Sequence, residues 1–325
     1  MRSRWQASET VVLEPSALTE LIQPLFPGEH VIACELASGG LSNTNIKLQI
    51  EHKQQPYLLR LYTRDGQTSG KEFAINKLTR AKVPSPEFLW HATTNGITGH
   101  PYVIMNWVEG QRLELVVNSL SASQLLTVAR SVGAALAGVH GFTFAHTGFL
   151  SDELQPIEPL DLGAAGLRAY IVSCLCQEPG RSRVDERFVA DLLEFFDNEC
   201  AILSQWQCPA TLAHCDFGGS NILIDRDESG EPKVAAILDF EFAFSAAPSF
   251  DFGNLLRKPL GAMPGFSDAV VAGYLANGGT LPQQWRKISL LSDLSAWADF
   301  LSRINPGEAV IADAKRVIAE TMRNW

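Results

Sequence analysis

The chain has 325 residues, of which 46% are apolar and 19% are charged, so we expect a folded globular protein rather than a disordered one. This length suits two lobes or domains better than one ordinary small core. The 36 acidic side chains outnumber the 26 basic ones, and the net charge of −10 argues against a general binder of nucleic acid or anionic membranes, because either would need a basic face.

The sequence also gives no sign of a membrane span or of export. No apolar run approaches the roughly 18–20 residues needed to cross a bilayer, and the basic start of the chain has no apolar signal core behind it. The six cysteines show no metal-ligand spacing and are too sparse for a disulfide framework. We therefore expect a cytoplasmic protein with free thiols.

Residues 1–105 are predicted to form a small, strand-rich lobe. Apolar and polar residues alternate over 45–51, which is the period-2 pattern of a half-buried strand. Residues 57–62 and 102–108 are two further apolar runs of strand length. A helix is expected over about 71–82, where the proline-rich stretch that follows ends it, because a residue before proline is pushed out of the α region.

After a linker at 106–110, residues 111–325 are predicted to form a larger and mainly helical lobe. Apolar residues at helical spacing mark a helix over about 125–140, and most of the segment 161–206 is also expected to be helical. A further amphipathic helix is predicted over about 290–301.

The most informative segment is a polar loop in front of a predicted hairpin, whose strands are the apolar runs 221–224 and 234–240. The loop contains Asp216 and, five residues later, Asn221, while Asp239 follows near the end of the hairpin. Phosphoryl transfer from ATP needs a carboxylate that orients the attacking hydroxyl and accepts its proton, together with oxygen ligands for Mg²⁺. This segment supplies both, whereas a hairpin turn without a function needs only about two to five residues.

At this point the sequence resembles a known family. His214 and Asp216 at HxD spacing, Asn221 five residues on, and Asp239 after two apolar residues are similar to the catalytic core of the aminoglycoside phosphotransferase and choline kinase-like group, distant relatives of the protein kinases. The similarity covers about 29–257. It implies an α+β, protein-kinase-like two-lobe fold, with a small antiparallel-sheet N-lobe and a larger, mainly helical C-lobe.

The resemblance also implies a role for each polar side chain of the motif. Asp216 would be the catalytic base, and His214 would brace the loop without taking part in the chemistry. Asn221 and Asp239 would bind Mg²⁺, and Asp251 would hydrogen-bond the catalytic loop.

Asp251 begins an Asp-Phe-Gly sequence, which is the metal-binding motif of protein kinases, and so it is the alternative metal ligand. Asp239 is favoured because it directly follows the strand that closes the hairpin, where this family has its metal aspartate. His140, at the end of the long apolar helix, is expected to be a core or capping residue rather than a ligand.

The resemblance places the nucleotide in the small lobe. Small residues between two strands let backbone N–H groups approach phosphates, although a plain hairpin turn explains the same pattern. Arg60 would bind phosphates at a position where family members often have lysine, and Glu72 would pair with it. The alternative for Arg60 is a surface charge on an edge strand. The alternative for Glu72 is a carboxylate favoured by the helix dipole. The linker would bind adenine. The predicted nucleotide-binding residues are Ser38, Gly39, Gly40, Asn43, Asn45, Arg60, Glu72, Asn106 and Val108.

The sequence thus predicts an ATP- and Mg²⁺-dependent phosphotransferase acting on a hydroxyl of a small molecule. Eleven acidic and only four basic side chains over 150–210 favour a cationic acceptor such as an aminoglycoside or a choline-like alcohol, unless the segment is a solvated helical face. Homoserine, sugar and macrolide acceptors fit the same architecture. A nucleotide-binding pseudokinase is an alternative, and so is a protein kinase, although the short interval between Asp239 and Asp251 leaves no room for an activation segment.

Overall fold

The amino-terminal part of the protein is built on an antiparallel sheet. A computed structural model describes residues 11–37 and 43–325 of the chain. The elements of this part are α1 (Pro15–Ile22), β1 (Val31–Leu36), β2 (Thr44–Ile50), β3 (Tyr57–Leu61), α2 (Thr68–Thr79), β4 (Phe88–Ala92) and β5 (Tyr102–Asn106). The five strands form one sheet in the order β1-β2-β3-β5-β4, and every neighbouring pair is antiparallel.

The alternation that predicted β2 corresponds to one buried face of this sheet. Ile46, Leu48 and Ile50 are buried with apolar side chains of α1, a helix that the sequence analysis did not predict. α2 begins and ends about three residues ahead of its predicted limits. Its early start follows from a turn in which the Asp65 carboxylate accepts the backbone N–H of Gln67 at 3.0 Å.

The rest of the chain is mainly helical and contains two small three-stranded sheets. Its helices are α3 (Leu113–Val116), α4 (Ala122–His140), α5 (Ala164–Cys176), α6 (Glu186–Glu199), α7 (Ser249–Leu255), α8 (Phe266–Ala276), α9 (Trp285–Ser302) and α10 (Glu308–Arg323). Its strands are β6 (Gln111–Arg112), β7 (Thr143–Phe144), β8 (Ala210–Ala213), β9 (Ile222–Arg226), β10 (Pro232–Ile237) and β11 (Phe244–Ala246). The two sheets have the strand orders β10-β9-β6 and β11-β8-β7.

α4 is the central helix of this part. Ser121 and Gln124 form a capping box at its start, and the helix packs along α8, where Gly133 and Gly273 leave no room for a Cβ atom. By length and composition α4 is long enough and apolar enough to cross a bilayer, which its sequence pattern had not suggested. Half of it is buried inside the protein, as in the core helix of a globular fold.

The acidic segment 150–210 is in large part a solvated helical surface. The predicted helical stretch 161–206 consists mainly of α5 and α6, whose core faces pack with α9 and α10. The Asp185 carboxylate caps α6, and Asp197 accepts two hydrogen bonds from Arg168 at the surface. These acidic groups therefore serve helix capping and surface pairing, which weakens the argument for a cationic acceptor.

Candidate active site

The loop 214–221, which we name the catalytic loop, connects β8 to β9. These strands belong to different small sheets, so the loop is anchored at both ends by separate strand pairings. Within it, the Asn221 side-chain amide donates to Asp216 Oδ2 at 2.8 Å and to the Asp216 carbonyl at 3.0 Å. The predicted base and the predicted metal ligand are thus in direct contact, and Asn221 fixes the orientation of the carboxylate.

His214 is completely buried beneath the catalytic loop. Its Nδ1 accepts the backbone N–H of Asp216 at 3.2 Å, so its Nε2 carries the proton and donates to the Leu238 carbonyl at 2.8 Å. Burial lowers the pKa of the imidazole, against the opposing effect of the nearby Asp251 carboxylate. The ring is therefore neutral and links the loop to the residue before Asp239, which is the bracing contact that was predicted.

Asp251, at the start of α7, supports the catalytic loop from behind. Its fully buried carboxylate accepts the backbone N–H groups of His214 at 2.8 Å and of Cys215 at 2.7 Å. It also pairs with His140 Nε2 at 3.0 Å, while the other ring nitrogen of His140 faces the Tyr274 hydroxyl at 2.9 Å. The predicted hydrogen bonds to the loop are present, and these contacts occupy both oxygens of Asp251.

Asp239 lies two residues after the end of β10, next to Leu238, which is hydrogen-bonded to Asn221. The backbone N–H of Leu238 donates to the Asn221 carbonyl at 2.9 Å, so both residues occupy the same end of the β9–β10 hairpin. Asp239 has a left-handed backbone with φ of 69°, which is unfavourable for a residue with a Cβ and must be held by its surroundings. A 3₁₀ turn, Phe240–Phe242, follows immediately.

Arg60 of β3 joins the amino-terminal sheet to this hairpin end. Its Nη1 donates to Glu72 Oε1 at 2.8 Å and to Asp239 Oδ1 at 3.1 Å, and its Nε donates to Asn45 at 3.0 Å. Burial alone would lower the pKa of Arg60, but the carboxylates of Glu72 and Asp239 outweigh it and hold the pKa well above the usual value. The Tyr62 hydroxyl also donates to Glu72, whose position is therefore fixed from two sides.

Comparison with known proteins decides the family. Residues 33–291 match the model of the phosphotransferase enzyme family, known as APH. The chain belongs to this phosphotransferase family. A search of the curated proteins gave no match.

Solved structures of aminoglycoside phosphotransferases share the fold of this phosphotransferase family member. The GDP complex of wild-type aminoglycoside 2'-phosphotransferase-IIIa superposes with a TM-score of 0.72 at 16% identity, covering 96% of this chain and 99% of that one. The GDP and kanamycin complex of APH(2")-IIIa gives 0.67 at 16% identity, covering 95% and 99%. A thermostable mutant of APH(4)-Ia with AMP-PNP and hygromycin B gives 0.66 at 16% identity, covering 94% and 98%. These matches confirm the predicted kinase-like fold.

Of the remaining predicted nucleotide-binding residues, two lie at or near the predicted linker, and three, Ser38, Gly39 and Gly40, lie outside the described residues. Asn106 ends β5, and its side-chain oxygen accepts the backbone N–H of Glu87. Val108 lies in the irregular segment between β5 and β6, where the sequence predicted the linker.

The donor set at the hairpin end fits Mg²⁺. Asn221 Oδ1 and Asp239 Oδ2 accept no hydrogen bond from any residue that the structure describes. Both are hard oxygen donors of the kind that Mg²⁺ takes, and this cation usually binds one or two protein groups together with phosphates and water. Over residues 11–37 and 43–325, no cluster of three His, Cys, Asp or Glu side chains forms an all-protein metal site.

Two contacts near Asp239 were not predicted from the sequence. Lys71 on α2 donates from Nζ to the carbonyls of Glu241 at 2.9 Å and Ala243 at 3.0 Å. Asn43, just before β2, donates to the Glu241 carboxylate at 2.9 Å. The only signal in the sequence was proximity, since Lys71 adjoins Glu72 and Glu241 lies two residues beyond Asp239.

Proposed function

We propose that this chain transfers the γ-phosphate of ATP, with Mg²⁺, to a hydroxyl group of a small molecule. The observation that carries the proposal is the contact of Arg60 with both Glu72 and Asp239. It brings a permanent cation from the amino-terminal sheet to Asp239, at the hairpin end that also holds Asn221, the hydrogen-bond partner of Asp216. A cation and metal-binding oxygens at one point are what phosphoryl transfer requires.

In this proposal Asp216 orients the acceptor hydroxyl and takes its proton at a carboxylate oxygen. Asn221, which donates to Asp216 Oδ2, keeps the carboxylate in position. His214 and Asp251 hold the loop backbone and remain outside the chemistry. The rate gain would come mainly from positioning and from fixed charges that need no rearrangement during the reaction.

We propose that residues 1–105 bind the nucleotide, that the linker 106–110 meets the base, and that 111–325 carry the catalytic loop and bind the acceptor. Arg60 would bind phosphate oxygens, and the segment from Ser38 to Asn45 would surround the phosphates. Asn221 and Asp239 would hold Mg²⁺, which, when bound, would supply positive charge against the charge that develops on the phosphates. A site that uses ATP agrees with the cytoplasmic location expected from the sequence.

For the acceptor we propose a hydroxyl-bearing molecule of the aminoglycoside class. Four of the similar structures hold kanamycin or hygromycin B, which supports this class. In this chain a small cavity of about 70 Å³ adjoins the catalytic loop. Its lining includes the carboxylate of Glu114, whereas Asn254 donates to the carbonyls of Cys215 and Phe250 and Arg257 is paired with Asp293.

The test is ADP release with Mg-ATP across a panel of aminoglycosides, choline-like amino alcohols, homoserine, sugars and macrolides. The expected result is turnover that depends on an aminoglycoside. Turnover with another member of the panel would change the acceptor class. Nucleotide binding that is accompanied neither by turnover nor by Mg²⁺-dependent ATP hydrolysis would indicate a pseudokinase.

The role of Asp216 is tested in the same assay. Asp216→Ala should lower turnover by at least about a thousandfold while ATP still binds, because only the base is lost. Asp225→Ala, an exposed aspartate on β9, is the matched control and should retain activity. Near-normal turnover by Asp216→Ala would refute the assignment of the base.

A further inference from the structure

Lys71 is a half-buried lysine whose ammonium group donates two hydrogen bonds to one short segment. It stands on α2 directly before Glu72, and its ammonium donates to the carbonyls of Glu241 and Ala243. These carbonyls belong to the 3₁₀ turn after Asp239 and to the residue that ends it. Lys71 therefore ties α2, in the amino-terminal part, to the segment that carries the proposed metal ligand.

The position is costly for an ammonium group. Burial lowers the pKa of Lys71, and the carboxylates of Glu72 and Glu241 only partly oppose this. Within 11–37 and 43–325 no carboxylate lies at ion-pair distance from its nitrogen, so the charge is compensated by backbone carbonyls. An apolar side chain of the same length would fill the space at lower cost. The presence of a lysine here is therefore explained by its two hydrogen bonds, which hold the segment after Asp239.

They hold a strained segment. Asp239 has a left-handed backbone, and the next residues are bound to the amino-terminal part at several points. The backbone N–H of Phe240 donates to Glu72 Oε1 at 3.2 Å, and Asn43 donates to the Glu241 carboxylate. Arg60 and Glu72 would change partners when phosphates bind between them and Asp239. The contacts of Lys71 involve only backbone carbonyls and need not change.

We propose that Lys71 is a positioning residue that sets the affinity of the site for the divalent metal by holding the turn after Asp239 against α2. This inference rests on the proposed function and adds a residue to it. Lys71 itself would touch neither the metal nor the nucleotide. Its loss should therefore weaken metal binding while leaving metal-free nucleotide binding unchanged.

The test measures binding rather than turnover. Mn²⁺ is titrated by electron paramagnetic resonance in the presence of AMP-PNP, and AMP-PNP binding without metal is measured by calorimetry in EDTA. Lys71→Met, which keeps the length but removes the donors, should raise the Mn²⁺ dissociation constant about tenfold and change metal-free AMP-PNP affinity less than about twofold. Lys71→Arg, which can still donate to both carbonyls, should recover most of the metal affinity.

Lys77→Met is the matched control, because Lys77 is an exposed lysine of the same helix whose ammonium lies over the Phe73 ring at 4.5 Å. It should leave both affinities unchanged. If Lys71→Met is unfolded at the assay temperature, Lys71→Gln replaces it and should raise the Mn²⁺ dissociation constant by a smaller factor. The proposal is overturned if the folded variant, Lys71→Met or its substitute Lys71→Gln, keeps the original Mn²⁺ affinity. It is also overturned if that variant loses as much metal-free AMP-PNP affinity as Mn²⁺ affinity. Absence of metal-nucleotide binding by the unmodified chain would instead contradict the proposed function.

Discussion

Asp251 offers the sharpest test of how the catalytic loop is held. Its buried carboxylate accepts the backbone N–H groups of His214 and Cys215 and pairs with His140. A hydrogen bond to a charged group contributes about 1.5–3 kcal/mol, so Asp251→Ala should cost about 3–6 kcal/mol through the two backbone donors alone. The donors would remain buried, because the side chain of His214 stays packed beneath the loop.

The assay is urea unfolding followed by tryptophan fluorescence, together with hydrogen exchange at the amides of His214 and Cys215. Asp251→Ala should lower the unfolding midpoint and speed exchange at those two amides. It should reduce kcat while the affinity for ATP stays close to the original value, because the Arg60 network is untouched. The control is Asp197→Ala, the same substitution at an exposed ion pair, which should leave the midpoint almost unchanged. Equal midpoints for the two variants, or a loss of ATP affinity as large as the loss of kcat, would refute this reasoning.

Two further predictions concern Arg60 and His214. Arg60→Lys keeps the charge but loses the hydrogen bond to Asn45, so its ATP affinity in a calorimetric titration should fall less than about tenfold. Arg60→Met also loses the charge, so its ATP affinity should fall more than about a hundredfold. Equal losses in the two variants would mean that the charge is unimportant. Burial depresses the pKa of folded His214 below the unfolded value of about 6.5, so its contribution to stability is fully present above about pH 6.5 and is lost progressively as the pH falls from there towards the folded pKa. The urea midpoint should therefore drop between pH 7 and pH 5, and the drop should shrink in His214→Gln but not in the exposed-histidine control His30→Gln.

Local patterns in the sequence were sufficient for the parts of the site that lie within one element or one turn. The spacing of Asp216 and Asn221 on one loop predicted two side chains that are in fact hydrogen-bonded. The alternation that predicted β2 also gave its buried face. The pairing of Arg60 with Glu72 was predicted from a strand followed by the next helix, and the 2.8 Å contact confirms the pairing.

Contacts between distant parts of the chain were harder to predict. His140 was expected to be a core or capping residue, and it is buried, but its partners Asp251 and Tyr274 lie more than a hundred residues away. The contact of Lys71 with the segment after Asp239 spans a similar distance. Sequence periodicity does not predict such contacts, because they depend on how α4 packs with α7 and α8 and on how α2 lies against the segment after Asp239.

The arginine at position 60 has a consequence for chemical surveys of nucleotide-using enzymes. Reagents that label such enzymes by acylating an amine beside the phosphates require an uncharged nitrogen. A guanidinium kept protonated by two carboxylates is not a nucleophile, so position 60 would stay unmarked however well the reagent binds. A survey that relies on an amine label at this position would therefore not detect the chain, and reversible capture would be needed there.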